Sequence, residues 1–95
     1  MKVFILTWHP MVDDKIFSRQ ILLDALNKMS IIENWRAAVG AIFMASNASD
    51  DEIADGIHKA IPGLTFIVSE IEIATSQGIA DKKTWDFITF PKRVS

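Results

Sequence analysis

His9, Asp13 and Asp14 fall within one short stretch of the chain. An imidazole beside carboxylates is a donor set able to hold a divalent metal such as magnesium and to activate water. The same residues have a plainer use. An aspartate just ahead of a helix accepts hydrogen bonds from its unpaired N-terminal amides, and His9-Pro10 is a natural strand terminator. His9, Asp13 and Asp14 are thus the candidate catalytic and metal-ligating set, with helix capping as the competing role for either aspartate. Asp50, Asp51 and Glu52 form a second acidic group, but Ser49 and Glu52 match the S-x-x-E capping box, in which hydroxyl and carboxylate satisfy reciprocal backbone donors.

Other reactive side chains lack a context. His58 falls on the polar side of its helix, where exposure is the ordinary state. Ser18, Ser46, Ser49 and Ser69 stand outside any G-x-S-x-G turn, and Gly40, Gly56, Gly63 and Gly78 are scattered singly rather than gathered into a phosphate loop. No cofactor-binding residue is predicted, and no cofactor is expected unless the His9 group takes a metal. Trp8, Trp35 and Trp85 offer stacking surfaces for bases, yet concentrated positive charge is confined to Lys82, Lys83, Lys92 and Arg93. Core and dimer packing is the expected role of the tryptophans, given the area each buries.

The elements that must position these residues begin with a bound on size. At 95 residues the chain suits one domain, 1–95, able to bury roughly 60–65% of its unfolded surface. Its 49% apolar content and net charge of −2 argue against disorder and against an electrostatic nucleic-acid binder. With no cysteine, disulfides, thiolate metal sites and cysteine nucleophiles are excluded. The apolar run at residues 3–6 is too short for a signal-peptide core, and no run approaches a membrane span. A cytoplasmic protein without a membrane partner is expected.

Lys2 to Trp8 is apolar apart from Lys2 and Thr7 and reads as a strand buried on both faces, hence central. A helix follows, capped by Asp13 or Asp14 and running to about Met29, with Ile21, Leu22, Ala25, Leu26 and Met29 as its apolar stripe. Residues 31–38 suggest an edge strand, Gly40 a tight turn, and residues 41–45 a second strand buried on both faces. The capping box opens a helix with stripe Ile53, Ala54, Ile57, Ala60 and Ile61 and an outer Asp55/Lys59 pair; Pro62-Gly63 ends it. The strand from Leu64 turns to alternation at Glu70 and Glu72, as for an edge. After a loop at 75–78, Asp81 opens a short helical or irregular C-terminal extension carrying Trp85, Phe87, Ile88 and Phe90.

The order βαββαβ is that of a ferredoxin-like split βαβ sandwich, an α+β fold with both helices on one sheet face and the first and third strands inside. The two strands read as doubly buried are those two. Their outer face then needs cover from the C-terminal segment, a second copy of the chain, or both, since a bare apolar face exceeds what monomers expose. A homodimer through the open sheet face or the edge strands is therefore expected.

These residues resemble a group of small prokaryotic proteins labelled SinR-like, similar in fold to the CRISPR adaptation nuclease-like subunits and to virulence-associated protein D ribonucleases. The resemblance covers most of the chain: the first strand, ILLDALNKM, ENW before a strand hairpin, SDDEI, LTFIVSEIEI and the ending DKKTWDFI. In that group the ending is a Pro-Lys pair followed by Trp-Asp-aromatic; Lys83, Trp85, Asp86 and Phe87 fit, and Asp81-Lys82 depart. The resemblance implies that nuclease relatives use an aspartate near the end of the first strand, paired across a dimer around a metal. Here that place reads Thr7-Trp8-His9-Pro10, without a carboxylate. The expected function is a domain working through homodimerisation and contact with a protein partner, without catalysis. The alternatives are a metal-dependent nuclease-like dimer using His9, Asp13 and Asp14, or an RNA/DNA-binding module.

Overall fold

The computed structural model describes residues 1–13, 15–38, 40–72 and 82–89. Asp14, the 75–78 loop, Asp81, Phe90, Lys92 and Arg93 lie outside the described residues. The protein is a mixed α+β chain. Its elements are β1 (Lys2–Trp8), β2 (Met11–Val12), β3 (Lys15–Ile16), α1 (Arg19–Lys28), β4 (Asn34–Ala38), β5 (Ala41–Ser46), α2 (Asp50–Ala60), β6 (Phe66–Glu70) and α3 (Lys82–Thr89). Two short strands and a C-terminal helix therefore add to the expected βαββαβ order. Among the described residues four strands form an antiparallel sheet in the order β4-β5-β1-β6, and β2 and β3 pair only with each other.

The interior positions fall to β1 and β5, whose apolar side chains serve both faces. Phe4, Leu6, Ile42 and Met44 meet Leu22 and Leu26 of α1 and Ile53 and Ile57 of α2 in the main core. Val3 and Ala45, pointing the other way by the two-residue period of a strand, pack with Phe87 and Ile88 of α3. The C-terminal segment is thus helical and covers one end of the second sheet face. That answers part of the need for cover that the doubly apolar strands create.

Local chemistry explains the boundaries. Ser49 Oγ accepts from Glu52 N–H at 3.1 Å while Ser49 N–H donates to Glu52 Oε1 at 3.3 Å, so the expected capping box opens α2. Between β4 and β5, Ala38 pairs with Ala41. Gly40 takes φ +79° in that tight connection, a left-handed conformation that side chains resist. The first helix corrects the sequence reading. It begins at Arg19 with Ser18 at the cap position, and Asp13 instead sits beyond β2 at φ 51°. Aspartate is among the few residues that tolerate that conformation, so the acid before the helix serves a hairpin turn rather than a cap. Ile21, expected in the apolar stripe, is 52% exposed.

Candidate functional site

The exit of β1 is where the sequence gathers its reactive side chains. His9 N–H donates to Thr65 C=O at 2.8 Å, extending the β1–β6 pairing by one rung. Its ring turns to the chain ahead: Met11 N–H donates to His9 Nδ1 at 3.1 Å. The same Nδ1 lies 3.3 Å from Met11 C=O, so both backbone groups of Met11 turn to the ring. The imidazole thereby fixes the turn from β1 into the β2–β3 hairpin, whose base is closed by Phe17 N–H donating to Pro10 C=O at 2.8 Å.

The hairpin lies against the connection from α2 to β6. A Cβ built on Gly63 meets Val12 Cγ1 at 2.9 Å and Asp13 Oδ2 at 3.7 Å. Glycine is needed at 63 because Val12 already occupies the space of a side chain. Asp13 thus belongs to a turn packed beside Gly63, while His9 is bonded within its own loop. Asp14, the third member of the predicted set, is outside the described residues. Among the described residues no group of three His, Asp or Glu side chains is placed to hold a metal ion.

What does gather here is apolar. Thr7, Trp8, His9, Thr65, Phe66 and Ile67 line a cleft of about 200 Å³ between the ends of β1 and β6. Thr7 pairs with Ile67 in the register of these strands, so both lie on the sheet face that α3 covers at its other end. Thr7 is exposed and Ile67 is 68% exposed. On the neighbouring hairpin Ile16 is 87% exposed. The two threonine hydroxyls and the imidazole give the cleft hydrogen-bonding groups, but its walls are chiefly hydrocarbon and aromatic.

Sequence reasoning passed over Ile67. The run Phe66-Ile67-Val68 is uniformly apolar, which hides the alternation that an edge strand imposes: Phe66 and Val68 pack on the main core while Ile67 does not. The signal that identifies it is position, one residue out of phase with two core neighbours.

The other candidates resolve into structural roles. Trp35 Nε1 donates to Asn27 Oδ1 at 2.7 Å, Trp8 packs on the main core, and Trp85 packs on the cluster beneath α3. All three are half-buried. His58 is exposed, as its helical position predicts. Lys59 Nζ reaches Asp55 Oδ2 at 2.9 Å across one turn of α2. The hydrogen bond to Asp55 and then the attraction of its charge hold the ammonium above its usual pKa, against a smaller opposing effect of desolvation. On α3, Lys82 pairs with Asp86 at 3.3 Å.

Compared with known proteins, the chain matches no family model, no curated protein and no solved structure. Among the described residues no helix is long and apolar enough to cross a membrane.

Proposed function

We propose that this chain is a small self-associating domain that works through a second copy of itself and a protein partner, without catalysis of its own. The observation that carries the proposal is Ile67, an aliphatic side chain 68% exposed beside an apolar cleft. Its place is the part of the second sheet face beyond the α3 cluster. Contiguous apolar surface is a mark of interaction sites, and Ile67 adds to the hydrocarbon wall of the cleft rather than standing apart from it.

The fold supports the same reading at a finer level. With the β2–β3 hairpin taken as an insertion after the first strand and α3 as an extension, the remaining elements run βαββαβ. Their order in the sheet, β4-β5-β1-β6, has the first and third long strands inside, as in a ferredoxin-like split βαβ. Kinship with the SinR-like group is part of the proposal and rests on the sequence motifs given above. A cytoplasmic setting accords with the absence of cysteine.

Sedimentation equilibrium tests the central claim. The expected mass is twice the 10.7 kDa of the chain; a clean monomer across the accessible concentration range overturns it. The competing nuclease-like and nucleic-acid-binding readings have their own test, a low-salt titration with short RNA and DNA, with and without magnesium. Salt-sensitive association or cleavage would favour them over the present proposal.

A further inference from the structure

Two bonds at the ends of β6 fix which way its backbone faces. Thr65 C=O accepts from His9 N–H, and Ile71 N–H donates to Val3 C=O, each at 2.8 Å. Residues 65 and 71 therefore turn their backbone groups toward β1. In an antiparallel ladder this orientation alternates residue by residue. Ile67 and Ser69 face β1 as well, and Phe66, Val68 and Glu70 turn N–H and C=O away from it. Among the described residues β6 ends the sheet, so this outer row meets no further strand.

The opposite border is different. On β4, Trp35 N–H donates to Asn34 Oδ1 at 2.9 Å, and Ala38 C=O accepts from Arg19 Nη1 at 3.1 Å. Residues 35 and 38 are three apart, so by the same alternation one of these two bonds lies in the outer row of β4 and the other on the side facing β5. Among the described residues no side chain bonds the backbone of the outer row of β6.

We propose that the outer row of β6 docks a second copy of the chain, antiparallel about a two-fold axis through Val68, joining two four-stranded sheets into one. This rests on the self-association reading above and specifies its surface. The row is its own complement. An axis through Val68 sets Val68 against its own image and Phe66 against the image of Glu70, and each such pair exchanges both of its hydrogen bonds. The acid at Glu70 then meets an aromatic residue. An axis through Glu70 would oppose two carboxylates, which disfavours pairing. On the face beyond α3, Ile67 falls opposite the image of Ser69, and the two Ile67 side chains become diagonal neighbours about 7–8 Å apart. The exposed apolar group is covered by its own copy.

Amide hydrogen exchange on the full chain, at concentrations on either side of the sedimentation midpoint, tests the inference. The amides of Phe66, Val68 and Glu70 are expected to slow at least about tenfold as the dimer forms, with Ile67 and Ser69 protected throughout. Ile67→Lys places like charges near the axis and is expected to weaken association about tenfold or more, with circular dichroism unchanged. If that variant misfolds, the exchange of the unaltered chain still decides. A dimer whose three outer amides keep exchanging as unpaired groups overturns the edge assignment and leaves self-association standing. Absence of any dimer overturns both.

Discussion

Arg36 Nε donates to Thr84 Oγ1 at 3.0 Å, fastening α3 to strand β4 across the sheet face that α1 and α2 leave uncovered. Thr84 is 4% exposed, so its hydroxyl has little access to water. Thr84→Val keeps the shape and removes the acceptor from the half-buried Arg36 guanidinium, which costs about 1 kcal/mol. Urea unfolding is expected to register that loss. Proteolysis or amide exchange should locate it first in residues 82–89, because α3 is held otherwise by the small cluster with Val3 and Ala45.

Ser49→Ala removes one half of the capping box at the start of α2. The expected loss is about 1 kcal/mol. A double-mutant cycle with Glu52→Ala should show coupling, because the two side chains satisfy each other's backbone donors. Additive losses would mean that the carboxylate acts only on the helix dipole.

Gly40→Ala isolates a backbone effect. Among the described residues, its chain neighbours aside, no atom lies within 4 Å of the position its Cβ would take, so the penalty comes from φ +79°. We expect a loss of about 1 kcal/mol in denaturant unfolding, with Gly40→Asn losing less because asparagine tolerates this conformation.

The Asp55–Lys59 pair makes a pH prediction whose sign is fixed. The lysine pKa is raised in the folded chain above 10.5, so its contribution is complete below that unfolded value and is lost as pH rises through the folded one. Stability should fall with pH in this alkaline window, and Asp55→Asn should remove that component of the slope. Both groups are well exposed, so high salt should flatten it as well.

How much of this was legible in the sequence depended on how local the signal was. The α2 start is written within four residues, Ser49 to Glu52, and the structure follows it. The interior places of β1 and β5 were legible because an apolar residue on every face has only one kind of home. The β2–β3 hairpin was not legible. Strands of two residues show no period, and an aspartate serves a left-handed turn as readily as a helix cap. Misreading Asp13 moved the expected start of α1 upstream and gave His9 a partner that the turn instead directs toward Gly63. Ile67 was concealed for the opposite reason, by a run too uniform to reveal which side chain faced outward.

The two-fold pairing proposed for the outer row of β6 would set a limit on growth. A sheet with two receptive borders adds copies without end and becomes a fibre, while one with a single receptive border uses it up in the first encounter. Under the docking proposed for β6, each copy uses its one β6 border in the first encounter, so addition along that strand would end at two.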